Sequence, residues 1–401
     1  MNVVILGSSH CTINGITAGF REIGWNASCL SIGGSSTTFI LHRIKDTRKS
    51  ELFKKADLII CESNSDDYKL DLKLSCQDIK SAYEQLYLLE KKIIILLFHH
   101  HQIRQRNQIT DNMHIYLAQY YGFNLIDLRN TERKLFYFFT YDNAHLYSFI
   151  LKKLGENIAK NFNHFKYPKK NKMLNQKKYF TVCHIDEMIL KGNIKDELIE
   201  NYINDDIVTV LKLDKQEIFF PQKYYGYYIY SVFSHNLNRF FFSALTIDDE
   251  KSFFNSLLAP CYGVKRFGTL LQINQNTKIK SNSKLDGDMD KKVSPFEKPK
   301  NHKYLNYVGL ISFLLVKNYH DEDIDFETLA KENIEIDKEY NFNHLIPPIE
   351  WYKEIIDEYC KVTDSRKLAS LNTQISNLIQ EKQNLQNNFQ AQLNSIPIKK
   401  Q

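Results

Sequence analysis

The chain has 401 residues, more than one domain of typical size, and its 43% hydrophobic and 25% charged residues are ordinary for a globular protein. The formal net charge of +6 is spread over many lysines without a dense arginine stripe, which argues against a nucleic-acid partner. The seven cysteines form no CxxC pair, no apolar run approaches the ~18–20 residues of a membrane span, and the first residues read as a strand rather than a secretion signal. We therefore expect at least two folded parts, reduced cysteines, no membrane span and a cytoplasmic location.

Residues 1–163 alternate short apolar runs with helical patterns. Five runs have the near-continuous Ile, Leu and Val content of strands buried on both faces: NVVILGSS, NASCLSIGG, ADLIICESN, KKIIILLFHHH and NLIDLRN. Helical periodicity follows in INGITAGFREIG, DIKSAYEQLYLLEKK and MHIYLAQYYGF. This alternation predicts an α/β fold, a doubly wound, flavodoxin-like parallel sheet of five strands, whose functional residues gather beyond the carboxyl ends of the strands.

Beyond residue 163 the residue composition of the chain changes twice. Residues 164–178 are rich in lysine and predict a basic linker. Residues 179–350 carry aromatic or β-branched runs, one of them FGTLLQI (267–273), and predict a β-rich accessory domain with a long polar loop at 277–303.

Residues 351–401 predict a helical tail. From Leu368 to Ile396 apolar residues recur in steps of three and four, with Lys382 and Gln392 in the gaps. This spacing favours a coiled coil, and hence a homo-oligomer formed through residues 368–396, over a lone amphipathic helix.

Two polar stretches of the first domain indicate nucleophilic catalysis. Ser9 directly follows the first strand, where a tight turn exposes a hydroxyl, and His145 is the candidate base that takes its proton. Asp142 lies three residues before His145, so in a helix the carboxylate and the imidazole face the same side and the carboxylate can fix the imidazole tautomer. The alternatives are a structural small residue at Ser9 and an ordinary helix N-cap at Asp142.

These stretches resemble the SGNH, or GDSL-type, serine hydrolases and acyltransferases. The matching stretches stand in order at the ends of successive strands within residues 1–160: GSS (7–9), GGSS (33–36), ESN (62–64) and DNAH (142–145). The resemblance implies that Ser9 is the nucleophile and that the Ser9 N–H, the Gly34 N–H and the Asn64 amide form the oxyanion hole, with Gly33 as the less favoured glycine. Ser8 replaces the family's usual Asp, which leaves Ser8 open as an alternative nucleophile.

Ser8, His10, His99 and His101 are further candidates for the substrate cleft. We expect no metal site at His99–His101, because consecutive residues of an extended segment point to alternate faces.

The resemblance implies acyl transfer or hydrolysis, most simply of O-acetyl groups, through a Ser9 acyl-enzyme. The expected substrate is a carbohydrate such as a bacterial surface polysaccharide or its precursor. No bound cofactor is expected, and acetyl-CoA is a candidate acyl donor. Hydrolase and transferase both remain open. The alternative from another class is a catalytically inactive glycan-binding or scaffold protein.

Overall fold

The computed structural model divides the chain into two compact units, Met1–Pro347 and Pro348–Gln401. The residues that it describes are 1–67, 70–100, 105–129, 145–170, 174, 178–190, 198–237, 241–250, 252–258, 261–282, 284, 304–320, 323–331 and 334–394. The first unit holds both the predicted catalytic part and the β-rich part. The domain boundaries predicted around residues 164–178 and at 350 stay predictions.

Five parallel strands form the first sheet, in the spatial order β2-β1-β3-β4-β5. They are β1 (Asn2–Gly7), β2 (Asn26–Cys29), β3 (Leu58–Glu62), β4 (Lys92–Leu97) and β5 (Asn124–Asp127). Every residue of β3, β4 and β5 is buried, as expected of strands covered on both faces. The predicted doubly wound sheet is confirmed.

Helices connect these strands. They are α1 (Ser9–Thr12), α2 (Ile16–Glu22), α3 (Thr37–Lys45), α4 (Ser50–Lys55), α5 (Asn64–Asp67), α6 (Leu72–Tyr87), α7 (Gln105–Tyr121) and α8 (Ser148–Lys160). The sequence indicated α2, α6 and α7. It did not indicate α3, whose residues Thr37 to Arg43 are all buried although four of them are polar or charged.

The β-rich part consists of two antiparallel sheets, as the aromatic runs predicted. Their strands are β6 (Tyr179–His184), β7 (Ile189–Leu190), β8 (Leu198–Ile203), β9 (Asp206–Leu213), β10 (Glu217–Phe219), β11 (Tyr228–Asn236), β12 (Ser243–Asp248), β13 (Phe253–Leu258), β14 (Cys261–Arg266), β15 (Lys278–Ser281) and β16 (Val308–Lys317). One sheet has the order β13-β12-β15-β10-β7, and the other has the order β14-β11-β16-β9-β8 with β6 beside β16. A short helix, α9 (Phe326–Lys331), follows β16.

Two predicted details of this part are wrong. Residues 267–273 form no continuous strand: Gln272 makes an isolated antiparallel bridge with Tyr228, and Ile273 donates its N–H to the Tyr227 carbonyl at 2.7 Å. The Phe267 and Ile273 side chains of this segment are buried, so the apolar pattern marks burial, and the pairing with the sheet stays local. The predicted polar loop at 277–303 begins with β15, and most of the remainder lies outside the described residues.

A buried polar cluster joins the β-rich part to α6. The Asp78 carboxylate is fully buried, and it accepts hydrogen bonds from the Tyr230 hydroxyl and, at 3.2 Å, from Arg266 Nε. The Arg266 guanidinium lies 3.5 Å from the centre of the Tyr230 ring. Phe180 of β6 and Leu314 of β16 belong to the same apolar cluster as the side chains of β3 and β4. The α/β and β-rich parts therefore share one continuous core.

The second unit is mostly one helix, α10 (Ile349–Asn394). Its 46 residues span about 69 Å at 1.5 Å per residue. The predicted C-terminal helix is confirmed, whereas the coiled coil stays a prediction and residues 395–401 lie outside the described part. Within the described ranges, no helix is both long enough and apolar enough to cross a lipid bilayer.

Candidate active site

Hydrogen bonds draw the ends of the first three strands together at one edge of the sheet. The Ser8 N–H donates to Glu62 Oε2 at 2.9 Å, and the Ser8 hydroxyl donates to Asp66 Oδ2. The Gly34 N–H donates to Ser8 Oγ at 3.1 Å. Residues distant in sequence thus meet beyond the carboxyl ends of parallel strands, where ligands of such sheets usually bind.

Ser9 begins α1 immediately after β1 and is half-buried. A Cβ built at Gly33 would lie 3.8 Å from the Ser9 Cβ, so the loop after β2 passes directly beside this serine. Gly33 and Gly34 are exposed, and a Cβ at Gly34 would meet nothing within 4 Å. Gly34 also has a φ of +73°, which L side chains rarely adopt. The glycines therefore leave open space beside Ser9.

Ser8 and His10, which the sequence placed among the cleft candidates, are buried. Ser8 has no exposed surface, and both the hydrogen and a lone pair of its hydroxyl are engaged within the turn. His10 is 3% exposed, with its ring stacked 4.1 Å from the Phe98 ring. Neither side chain lines an open surface. Of the two candidate nucleophiles, the more accessible one is Ser9.

The Glu62 carboxyl supports the turn from beneath. Besides the Ser8 N–H it accepts the Ser65 hydroxyl at 2.9 Å. Burial, together with the neighbouring Asp66 carboxylate, raises the pKa of Glu62 to about 8 against the opposing hydrogen bond from the Ser8 N–H. Glu62 therefore holds its proton at neutral pH, and this part of the site carries less negative charge than its residue types suggest.

His145 contacts this edge of the sheet at the His10 ring. The two imidazole rings lie 5.2 Å apart between centroids, and His145 is half-buried. His145 therefore meets α1 at the His10 ring, one residue from Ser9. Asp142, the predicted orienting acid, and His101 lie outside the described residues. The structure thus brings His145 to the residue next to Ser9, and the triad itself stays a prediction.

Glycines fix the segment that carries His145 against the segment that carries Ser9. α8 begins three residues after His145, and α2 begins seven residues after Ser9. A Cβ at Gly19 of α2 would lie 2.1 Å from the Lys152 carbonyl oxygen, and one at Gly155 of α8 would lie 2.4 Å from the Ile16 carbonyl oxygen. The two helices pack backbone against backbone, so a shift of α8 carries His145 with it.

Asn64 is fully buried and ties the end of β3 to the end of β4. Its amide group donates to the Phe98 carbonyl at 2.8 Å and to Asp111 Oδ1 at 2.9 Å, while its own oxygen accepts the Phe98 N–H. Both amide hydrogens are therefore engaged. The Gly34 N–H is engaged by Ser8 as well. To act as oxyanion donors, as the family resemblance implies, both groups must exchange these partners for the substrate oxygen.

The structure adds a buried pair that sequence reasoning did not find. His100 Nε2 lies 3.0 Å from Asp111 Oδ2, and Arg129 contacts the same carboxylate at 3.0 Å. The His100 hydrogen bond and the Arg129 charge lower the pKa of Asp111 against the opposing effect of burial, which is the largest influence. Asp111 sits within α7, far from any strand end in sequence, and nothing in its neighbourhood marks it. His99, a cleft candidate, is half-buried beside this pair in the chain.

The geometry suits nucleophilic chemistry more readily than metal chemistry. Ser9 is half-buried at a turn beside the open Gly33–Gly34 loop, and the His145 imidazole contacts the ring of the next residue, His10. These are the parts that acyl transfer needs. Among the described residues, no three His, Cys, Asp or Glu side chains converge as metal ligands do.

No protein-family model and no curated protein sequence matches the chain. Solved structures do match. A two-domain esterase active on acetylated mannans, crystallised with mannopentaose, superposes with a TM-score of 0.50 at 11% identity over 79% of this chain and 91% of its own. TesA matches with a TM-score of 0.32 at 15% identity over 39% of this chain and 96% of its own. A GDSL-like lipase from Bacteroides thetaiotaomicron matches with a TM-score of 0.26 at 13% identity over 36% of this chain and 74% of its own.

The α/β part of the chain has the doubly wound parallel sheet that the resemblance to the SGNH, or GDSL-type, hydrolases implies. The two-domain esterase shares with this chain an overall fold that reaches beyond the α/β part. At this level of identity the likeness concerns the fold alone.

Proposed function

We propose that this protein is a serine esterase that removes acyl groups, most simply acetyl, from a carbohydrate. The observation that carries the proposal is the placement of Ser9. Its hydroxyl stands at the first-strand turn, beside the exposed glycine loop, and the next residue contacts the His145 ring.

In the proposed reaction Ser9 Oγ attacks the ester carbonyl carbon while His145 takes the hydroxyl proton. The negative charge that develops on the carbonyl oxygen is stabilised by N–H donors at the turn. The C–O bond to the sugar then breaks, and His145 returns its proton to the departing sugar oxygen. Water, activated by His145, attacks the Ser9 ester in the second half and releases the carboxylic acid and the free serine.

The carbohydrate substrate is supported by the fold that this chain shares with the two-domain esterase active on acetylated mannans. The alternative reaction within the same class is transfer of the acyl group to a sugar hydroxyl instead of water, with acetyl-CoA as donor, and the finer substrate that we propose is a bacterial surface polysaccharide in the cytoplasm. They follow from the family resemblance rather than from the geometry of the site.

Covalent labelling tests the serine mechanism. A fluorophosphonate probe is expected to label the wild-type protein on Ser9, and Ser9→Ala is expected to abolish labelling. Ser36→Ala is the matched control, since Ser36 is also half-buried and lies near the same turn, and its hydroxyl donates to the Thr38 hydroxyl at 3.2 Å. Absence of labelling in the folded wild type, with retained glycan binding, would instead support the inactive glycan-binding or scaffold alternative.

Product analysis separates hydrolysis from transfer. Chemically acetylated mannan and acetylated xylan, supplied without CoA, are expected to release acetate if the protein is an esterase. Stable acetylated sugar formed from acetyl-CoA and unmodified oligosaccharides, without matching release from the acetylated polymers, would assign the transferase instead.

We further propose that α10 mediates self-association. Leu371, Leu378 and Leu385 occupy one heptad position, and Ile375, Lys382 and Phe389 occupy the other. The five apolar members are 51–69% exposed in the single chain. A long helix gains most of its stability from packing its apolar face, and a second copy presents the same stripe. β-branched Ile375 opposite leucine positions, with one Lys in the seam, is the pattern that favours two parallel helices.

A further inference from the structure

Two aromatic side chains stand exposed immediately after His145. Tyr147 is 44% exposed and Phe149 is 51% exposed, although Leu146 just before them and Ile150 just after them are buried. Leu146 and Ile150 thus anchor the segment in the protein, whereas Tyr147 and Phe149 are exposed to solvent. Large aromatic surface left in water near a reactive group is a feature of binding sites.

The pair sits on a rigid support. Phe149 is the second residue of α8, and Tyr147 immediately precedes that helix. α8 is fastened to α2 by the glycine contacts described above, and a Cβ at Gly15 would lie only 2.4 Å from the Leu151 Cβ. A ligand that binds the pair therefore meets rings carried on a packed helix, which reduces the entropy cost of binding.

A charged pair also restrains the Phe149 ring. Lys153, one turn further along α8, lies 5.7 Å from the ring centre, and its ammonium pairs with Glu156 Oε2 at 2.9 Å. The cation is attracted to the electron-rich face of the ring and keeps it beside the helix.

We propose that Tyr147 and Phe149 form a carbohydrate-binding subsite that holds a pyranose ring of the substrate next to His145. The faces of aromatic rings carry partial negative charge. The C–H groups on one face of a pyranose carry partial positive charge and are poorly hydrated, so the two surfaces stack. The Tyr147 hydroxyl adds a donor and an acceptor for sugar hydroxyls. This inference deepens the proposed esterase function and rests on it for the identity of the site.

Binding is measured separately from catalysis. In a Ser9→Ala background, where the polymer is not consumed, affinity electrophoresis in gels containing partly acetylated mannan or partly acetylated xylan gives a dissociation constant. Tyr147→Ala and Phe149→Ala are each expected to weaken binding about three- to tenfold, the effect of losing one stacked ring. Tyr116→Ala is the matched control, since Tyr116 on α7 is 51% exposed but belongs to another helix, and it is expected to bind as the parent does.

Ring-retaining variants guard against misfolding. Phe149→Tyr keeps a stacking face and is expected to retain affinity within about twofold, as an aromatic ring replaces an aromatic ring. In active enzyme, the ratio of kcat/KM for acetylated mannan to kcat/KM for p-nitrophenyl acetate is expected to fall with the alanine variants. A purely structural role would lower both rates together.

The outcomes distinguish the subsite from the function. Unchanged affinity in the Tyr147→Ala and Phe149→Ala variants, with wild-type Ser9 labelled by the fluorophosphonate, overturns the subsite and leaves the esterase standing. Loss of affinity in these variants with no labelling of the wild type supports a glycan-binding surface and overturns the esterase. A wild-type protein that binds neither polymer overturns the subsite.

Discussion

Gly19→Ala is expected to lower kcat about a hundredfold while leaving the fold intact. The new methyl would lie 2.1 Å from the Lys152 carbonyl oxygen, whereas ordinary contacts begin at 3.4 Å, so α2 and α8 must separate by about 1.3 Å. His145 moves with α8, and a displacement of about 1 Å in a catalytic group costs ~100-fold in rate. Alanine is intrinsically about 1 kcal/mol better than glycine within a helix, so any loss reflects the clash and not helix propensity.

The assay is hydrolysis of p-nitrophenyl acetate, followed as kcat, together with thermal unfolding. Gly24→Ala is the control. Gly24 follows α2 with a φ of +83° and open space around the position of a Cβ, so alanine there strains the backbone without pushing α8. Gly24→Ala is expected to lower stability by about 1 kcal/mol with kcat nearly unchanged. Equal losses of kcat in the two variants, or full activity in a folded Gly19→Ala protein, would refute the role of the glycine contact.

Three further outcomes follow from the buried groups and the long helix. Because the pKa of Glu62 rises from 4.5 to about 8 on folding, the folded state keeps a proton that the unfolded state loses between these pH values. The stability of the wild type therefore falls as pH rises through this window, by up to about 1.4 kcal/mol per pH unit. Urea denaturation of Glu62→Gln is expected to give a flatter dependence of stability on pH. Asp78→Ala leaves Arg266 buried without its carboxylate and is expected to cost about 3–5 kcal/mol in urea denaturation, whereas a loss below about 1 kcal/mol would show that the pair is not held in this form. Leu378→Asp is expected to convert a dimer into a monomer in sedimentation equilibrium, while Gln380→Asp, on the opposite face of α10, leaves the dimer intact; a monomeric wild type contradicts self-association.

The α/β part was accessible from the sequence because its signals are local. Strands buried on both faces are long runs of Ile, Leu and Val, and each run ends in small or polar residues at the edge where the site forms. The Gly33–Gly34 loop and the turn at Ser9 were found in this way. α3 escaped detection because its buried residues include the polar Thr37, Thr38, His42 and Arg43, so its burial does not follow from apolar character.

The strands of the β-rich part were harder to predict because buried apolar residues occur both in its strands and in segments that are not strands. Phe267 and Ile273 are buried in a segment that pairs with the start of β11 through an isolated bridge, and the sequence pattern does not separate this from a strand. β15 lies in a polar stretch, KIKS, whose pairing with β10 and β12 depends on partners distant in sequence.

The contacts that hold the site residues in place could not be predicted from the sequence either. The Asp66 and Glu62 carboxyls that hold Ser8, and the Asp111 carboxylate that holds His100 and Asn64, act through contacts between elements, and their positions in the chain carry no periodic signal. The glycine contact between α2 and α8 was equally invisible. Gly19 and Gly155 read as ordinary small residues until the helices are seen to touch.

The cooperation of the Ser9 hydroxyl with the His145 imidazole is tested most directly by the rate at which a fluorophosphonate labels Ser9, read by peptide mass spectrometry. His145→Ala is expected to slow labelling by about 10²–10⁴-fold, the usual contribution of a general base, whereas His164→Ala, an exposed histidine beyond α8, is expected to react at the wild-type rate. Labelling of His145→Ala at the wild-type rate, or a label found on Ser8, would contradict the mechanism.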